Sequence, residues 1–155
     1  MRKFSLLLVA GFLAFGLAGN LFAQERSEVE VTRADIQADR QAIVASNLQL
    51  TDEQAKAFWP LYRQYRTQME EVGDKLMNLI ADYGEQYETL NDEQAADLMK
   101  RYLRLQKEVV AVKEKFEPRF AKILPAKTVL RFYQIENKMD TIVMMGVSSQ
   151  IPLAK

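Results

Sequence analysis

The chain has 155 residues, with 21 basic side chains, 21 acidic ones, and neither cysteine nor histidine. Its length suits one domain around one core, and the balanced charge favours neither nucleic acid nor a membrane surface as a partner. Disulfides, cysteine-linked lipids, and Ser-His or Cys-His catalysis all need a residue type that is missing here. We therefore predict a non-enzyme with no catalytic residues, no cofactor and no metal.

The first residues have the pattern of an export signal. Arg2 and Lys3 precede an apolar run over residues 4–17, which small residues follow. This pattern is typical of a secretory signal peptide over residues 1–23, with Ala18 as the alternative last residue of the peptide. The apolar run is shorter than the about 20 residues that a membrane-spanning helix needs. We expect export to the periplasm, with no membrane span after cleavage.

The segment after the signal peptide is polar before it becomes helical. Residues 24–31 are charged and have no apolar period, which predicts a disordered arm. Ile36 and Ile43 then indicate a short first helix that begins near Thr32 and ends near Asn47. We take this helix as the start of a single helical domain that extends to the last residue.

Two long helices follow, each with an apolar seam. In the first, steps of four and three join Phe58, Tyr62, Tyr65, Met69, Val72, Leu76, Leu79 and Tyr83. In the second, the same spacing joins Leu98, Tyr102, Leu105, Val109, Val112 and Phe116. The spacing is that of a coiled-coil heptad, and a helix of about 30 residues is roughly 45 Å long. We predict that the two helices pack as an antiparallel hairpin.

The register of this hairpin follows from where the chain turns. Gly84 and the polar residues after it place the turn near position 87, which puts Pro60 and Pro118 at nearly the same level. Proline inside a helix bends its axis, so we predict a bent hairpin. In this register, three acidic residues face three basic ones, namely Glu70, Glu71 and Asp74 opposite Lys100, Arg101 and Arg104.

A last helix completes the predicted fold. We expect it to begin near Pro125 and to fray beyond Gly146, with an apolar face formed by Leu130, Tyr133, Ile135, Met139 and Ile142. The predicted fold class is therefore all-α. It consists of a bent, long antiparallel helical hairpin with short N-terminal and C-terminal helices over residues 32–155, and we expect it to form a homodimer.

A short motif occurs twice, 40 residues apart, at the start of each long helix. Its key positions are Leu50, Thr51 and Gln54 in the first copy, and Leu90, Asn91 and Gln94 in the second. Thr51 or Asn91 suits an N-cap, and the glutamine three residues later can reach back to the amide of the cap residue, as in a capping box. Helix capping explains every position of the motif, so we favour it over ligand binding.

The segment Leu50-Thr51-x-x-Gln54 resembles the Leu-Thr-x-x-Gln motif of the periplasmic Spy and CpxP family, and the second copy differs at Asn91. The resemblance implies a small helical protein, often a curved dimer, that acts as an ATP-independent chaperone or as a stress adaptor inhibiting a sensor kinase. Metal-responsive members use histidines, which this sequence lacks. Residues 131–138 are similar to a segment of bacterial proteins labelled as sensors for extracytoplasmic sigma factors.

Basic and apolar side chains outside the seam form a candidate surface for unfolded clients or a partner. It consists of Trp59, Arg119, Lys122, Arg131, Phe132, Met139, Met144 and Met145. Flexible methionines suit varied apolar partners, and a basic patch suits an acidic one. The alternatives are a solvated basic face and apolar side chains buried against the hairpin or a second subunit.

Two functions remain open at this point. We expect a periplasmic, ATP-independent chaperone-like or envelope-stress protein that binds unfolded envelope proteins. The alternative is a signalling adaptor or sensor that acts on the periplasmic domain of a sensor kinase or on an extracytoplasmic sigma factor pathway. A purely structural oligomer is a third alternative. The first two need the same exposed apolar and charged helical face, so the sequence does not separate them.

Overall fold

The computed structural model describes residues 38–155. The predicted signal peptide, the predicted arm and the predicted start of the first helix lie outside the described residues. Within them, the elements are α1 (residues 38–48), α2 (Asp52–Gln86), a 3-10 turn (Tyr87–Thr89), α3 (Asp92–Ala121) and α4 (Ala126–Ser148). Helices α2 and α3 pack against each other, and residues 38–155 contain no strand, so the predicted all-α helical hairpin is confirmed.

Helix α1 buries one face and then stops abruptly. Arg40, Val44 and Leu48 are buried, and their spacing of four residues places them on the same side of the helix. Gln49 has a φ of 52°, the left-handed conformation that commonly ends a helix. The chain thus reverses within three residues and α2 begins at Asp52. The predicted end near Asn47 agrees with this boundary.

Both capping boxes are present at the starts of α2 and α3. The amide of Gln54 donates to Thr51 Oγ1 at 3.3 Å, and the Thr51 amide donates to Gln54 Oε1 at 3.0 Å. The amide of Gln94 donates to Asn91 Oδ1 at 2.9 Å, and the Asn91 amide donates to Gln94 Oε1 at 3.0 Å. Each pair satisfies backbone amides that the first helical turn leaves without partners.

The hairpin register differs from the predicted one. Lys75 Nζ lies 2.7 Å from Glu108 Oε2, and Lys115 Nζ donates to Gln68 Oε1 at 3.0 Å. The two pairs are seven residues apart on both helices, so they define one antiparallel register. The midpoint of the hairpin in this register falls between positions 91 and 92 instead of near 87. The predicted register is wrong because Gly84 does not end α2, which continues to Gln86.

Two expectations that depended on that register are also wrong. Arg101 pairs with Asp82, and with Asp97 at 3.7 Å, rather than with the acidic residues predicted opposite it. In the observed register, Pro60 is level with Ile123, which lies five residues beyond Pro118. The two prolines are therefore not level. Both prolines lie inside their helices.

The core has two parts along the hairpin. The larger lies at the end away from the turn, where α1, α2, α3 and α4 meet around Phe58, Tyr65, Phe116, Phe120 and Phe132. The smaller lies between α2 and α3, and consists of Val72, Leu79 and Leu105. Val112 is half-buried and packs against both parts. The two parts therefore form one continuous interior.

The apolar face predicted for α4 is correct for Tyr133, Ile135 and Met139, which pack in or against the large core, and wrong for two other residues. The buried face of this helix contains Val129, Phe132, Glu136 and Met139, whereas Leu130 and Ile142, which we placed on the apolar face, are exposed. The prediction considered apolar residues alone and so did not include the charged Glu136, which lies on the buried face.

The end of the chain returns to the hairpin turn. Tyr83 Oη donates to the carbonyl oxygen of Pro152 at 2.8 Å, and Lys155 pairs with Glu88. Helix α4 therefore runs parallel to α2, from the large core toward the turn. It is the third long helix of the bundle.

We expect Asn91→Ala to lower the free energy of unfolding by about 1 kcal/mol, because it leaves the Gln94 amide without its acceptor. Urea unfolding followed by helical circular dichroism measures the change. Asn78→Ala, at an exposed position inside α2, is the matched control and should cost less. Equal costs for the two variants would contradict a stabilising role for the cap.

Candidate functional site

A buried cluster of charged groups joins α1, α2 and α4. The carboxylate of Glu136 is fully buried and accepts hydrogen bonds from Arg40 Nη1 at 2.9 Å, Arg66 Nη1 at 3.0 Å and Tyr62 Oη at 3.2 Å. Arg40 Nη2 also donates to Asp140 Oδ1 at 2.9 Å. We call these five residues the ionic cluster.

The polar atoms of this region are not all satisfied. The Nε atoms of Arg40 and Arg66 and the hydroxyl of Tyr65 are buried and have no hydrogen-bond partner among the described residues. Burying a carboxylate is costly unless other groups pair with it, and here two guanidinium groups do. Loss of one member should therefore destabilise the cluster, because removing Glu136 would take away the carboxylate that pairs with both Arg40 and Arg66.

Sequence reasoning missed the ionic cluster, although one signal was available. Glu136 lies four residues after Phe132 and three before Met139, so it occupies a seam position between two buried apolar residues. A charged residue at such a position predicts a buried partner. Nothing local indicates that the partner lies on α1, because Arg40 is 96 residues away in the chain.

An aromatic cluster surrounds these charges. Phe120 and Phe132 have ring centroids 4.7 Å apart, and Tyr65 meets Phe116 edge-on at 5.6 Å. Burial, followed by the nearby Glu136 carboxylate, raises the pKa of Tyr65 and also that of Tyr62. Burial raises the pKa of Tyr133 to about 12.

A cleft of about 570 Å³ opens beside the ionic cluster. The α2 and α3 backbones run close together, whereas α4 approaches only α3 closely among the long helices described. The gap between α4 and the hairpin is lined by charged residues of the cluster and by apolar ones. The apolar lining comprises Met69, Val72, Leu76, Met77, Leu105, Val109, Val143, Met144, Met145 and Val147.

The outward face of α3 carries a second apolar row. Met99, Leu103 and Val110 are more than half exposed, and Gln106 continues the four-and-three spacing between them. Neighbouring Tyr102, which we placed in the buried seam, is 42% exposed. We call Met99, Tyr102, Leu103 and Val110 the α3 outer row.

Cations accompany this row. Three exposed basic residues directly follow Met99, Leu103 and Gln106 in the sequence. They are Lys100, Arg104 and Lys107. Consecutive helical residues diverge by about 100°, so these cations flank the row, and the two stripes together can contact both the apolar side chains and the acidic residues of a partner. Sequence reasoning missed the row because it lies one position from the stronger seam.

The predicted client or partner surface is only partly present. Phe132 is fully buried and Met139 nearly so, so neither belongs to an exposed surface; both pack in the core. Trp59 is half-buried against the same core. These apolar residues are therefore buried against the hairpin, as the alternative to an exposed surface had predicted.

The remaining predicted surface residues are dispersed. Met144 and Met145 are exposed and line the cleft. Arg119 lies over the Phe116 ring and donates to Gln64, and Arg131 Nε donates to the carbonyl oxygen of Asn47 at 2.8 Å. Lys122 is exposed. These residues do not form one continuous patch.

The repeated motif has a structural role at both sites. The side chains of Thr51, Gln54, Asn91 and Gln94 all bond to backbone amides of their own helix starts. Leu50 packs against the large core. None of these residues lines the cleft or belongs to the α3 outer row.

Residues 38–155 contain neither a carboxylate cluster suited to a metal ion nor a helix suited to spanning a membrane. No cluster of three or more acidic, histidine or cysteine side chains there is arranged to hold a metal ion. No helix in the same range is both long and apolar enough to cross a membrane.

Comparison with known proteins found no matching family model, no matching curated protein and no matching solved structure. The resemblance to the Spy and CpxP family therefore rests on the motif in this sequence.

We expect Glu136→Ala to lower the free energy of unfolding by about 3–5 kcal/mol, because Arg40 and Arg66 lose their shared buried partner. The control is Glu108→Ala, which removes the exposed ion pair with Lys75 and should cost within about 1 kcal/mol. Urea unfolding of both variants at neutral pH measures the difference. Similar costs would show that the cluster does not stabilise the fold.

Tyr65→Phe should leave stability at neutral pH unchanged or slightly higher, because the lost hydroxyl has no hydrogen-bond partner among residues 38–155. The raised pKa of Tyr65 gives the parent protein a stabilisation that is complete below about pH 10, the pKa in unfolded chains, and is lost as pH rises above it. The variant should therefore lose less stability between pH 10 and alkaline unfolding.

Urea midpoints across that alkaline range, with tyrosinate absorbance as a second signal, test this expectation. Tyr102→Phe, at an exposed position, is the control and should follow the parent protein. A Tyr65→Phe curve parallel to the parent curve would contradict the expectation.

Proposed function

We propose that the mature protein is a periplasmic chaperone-like protein that binds unfolded segments of envelope proteins without ATP, through the α3 outer row. The observation that carries the proposal is the row itself. Three large apolar side chains, Met99, Leu103 and Val110, are each more than half exposed on one face of a single helix. Contiguous exposed apolar surface is typical of interaction sites.

The chemistry of the row suits an unfolded client. Methionine and leucine make contacts of low specificity, and the flexible methionine side chain adapts to different partners. Lys100, Arg104 and Lys107 add long-range attraction for acidic segments and speed up association. The row is about 16 Å long from Met99 to Val110, at 1.5 Å per residue. It therefore suits a short stretch of extended or helical chain.

Three expectations from the sequence support the same function. The predicted signal peptide directs the protein to the periplasm, the motif resembles that of the Spy and CpxP family, and we predict no catalytic residues. The expected homodimer is compatible with client binding if the dimer leaves the row exposed. Each expectation is part of the proposal and can be tested separately.

The test is suppression of aggregation of a chemically denatured client by several-fold excess of the purified mature protein. We expect the parent protein to suppress aggregation and Leu103→Asp to bind the client roughly tenfold more weakly, because burying one leucine contributes about 1.5–3 kcal/mol. Leu153→Asp is the matched control, since Leu153 is 89% exposed but lies in the C-terminal tail. Absence of suppression by the parent protein would end the proposal.

Crosslinking in living cells separates this function from signalling. A photoreactive residue at position 103 should capture many envelope proteins. Capture of one periplasmic receptor domain would instead support the adaptor alternative. Capture of a second copy of the chain would identify the row as the dimer interface and would also contradict the proposal.

A further inference from the structure

The cleft between α4 and the hairpin has the dimensions of a small-molecule site. Its volume is about 570 Å³, within the range of roughly 300–1,000 Å³ that is typical of ligand pockets. Its walls are formed by α2, α3 and α4, and Arg40 of α1 also contributes. Gln106, which lies between Leu103 and Val110, lines the cleft, but none of the four residues of the α3 outer row does, so the two surfaces adjoin without sharing those residues. A ligand there would therefore be a function beyond client binding.

The cleft changes from charged to apolar in one direction on all three of its helices. On α2, Arg66 and Glu70 come before Leu76 and Met77, and on α4, Asp140 comes before Met144. Helix α4 runs parallel to α2, so the two charged ends coincide.

Helix α3 shows the same change in the opposite chain direction. In the observed register, Lys113 is level with Glu70, and Leu105 is one residue beyond the level of Met77. Since α3 runs antiparallel to α2, its charged wall also lies at the end near the ionic cluster. The distance from Arg66 to Met77 is eleven residues, or about 16 Å. The cleft is thus a slot with a charged end and an apolar end.

The charged end contains one cation, Lys113, whose side chain forms no ion pair with the described residues. Three cations line it, Arg40, Arg66 and Lys113, against two carboxylates, Glu70 and Asp140. Both carboxylates already have cationic partners, Asp140 with Arg40 at 2.9 Å and Glu70 with Arg66 at 3.8 Å. The Glu136 carboxylate is fully buried behind the two guanidinium groups and does not line the cleft. Because Glu136 pairs with both guanidinium groups, the end is neutral as a whole, and an anionic ligand group would pair with Lys113.

We propose that the cleft binds a single-chain amphiphile with an anionic head, of the fatty acid or alkyl phosphate class. The head lies beside Lys113 and Arg66, and the chain extends between α4 and the hairpin toward Met77 and Val147. The methionines on both walls adapt to the width of an alkyl chain. Carboxylate and phosphate heads share the required charge, so both are tested.

The experiment is isothermal titration calorimetry of the purified mature protein with dodecanoate and with dodecyl phosphate, each below its micelle concentration. We expect saturable binding with one ligand per chain. Each buried methylene raises the affinity roughly fourfold, so octanoate should bind much more weakly than dodecanoate. Dodecyltrimethylammonium, with the same chain and a positive head, should bind at least tenfold more weakly than dodecanoate.

Two variants locate the ligand. Met77→Trp places a larger side chain in the apolar end and should abolish binding, whereas Met99→Trp, the matched change on the α3 outer row, should not affect it. Lys113→Gln should weaken dodecanoate binding several-fold and leave the dependence on chain length unchanged. If Met77→Trp loses its helical circular dichroism, Met144→Trp on the opposite wall replaces it.

Three results would overturn the proposal. They are the absence of saturable binding by both anionic ligands, equal binding of the cationic one, and equal effects of the Met77 and Met99 variants. Binding of dodecyl phosphate alone, or of dodecanoate alone, would support the proposal and identify the head group.

Discussion

The Glu136 carboxylate is the group on which the arrangement of the helices depends. It has no exposed surface, and its hydrogen-bond partners come from α1 and α2. A charge buried this deeply is stable only while those partners surround it, because its desolvation outweighs any single ion pair. The position of α4 is therefore fixed by three specific contacts, which act in addition to the less directional packing of aromatic rings.

That constraint has two structural consequences. The orientation of α4 about its axis is set by Glu136, because a turn of the helix by one residue, about 100°, would move this carboxylate away from Arg40 and Arg66. The observed orientation keeps the ion pairs, and Leu130 and Ile142, on opposite flanks of the buried face, are exposed. Because Tyr62 and Arg66 reach α4 through long side chains, the backbones of α2 and α4 remain apart. The cleft begins at this point.

The two candidate binding surfaces and the repeated motif lie in different parts of the molecule. The α3 outer row faces away from the hairpin seam, the cleft lies between α4 and the hairpin, and the motif residues are engaged in capping. The motif that carries the family resemblance thus explains how α2 and α3 begin. Any binding function must arise from residues elsewhere, such as Leu103 on the row or Lys113 in the cleft.

The sequence by itself determined the local features of this protein. The helices, the two capping boxes and the seam of α2 depend on residues at most a few positions apart, and these were predicted correctly. The hairpin register required the exact end of α2, and Gly84 misled the prediction because a glycine is tolerated inside a helix.

Only the tertiary structure decided the ionic cluster, the buried face of α4 and the cleft. The hydrogen bonds that set them join residues 70 to 100 positions apart. Spacing rules describe one helix at a time and give no information on which distant side chain meets Glu136. The physical reason is that a buried charge is stable only beside its partners, and these partners, distant in the sequence, come together only when the chain has folded.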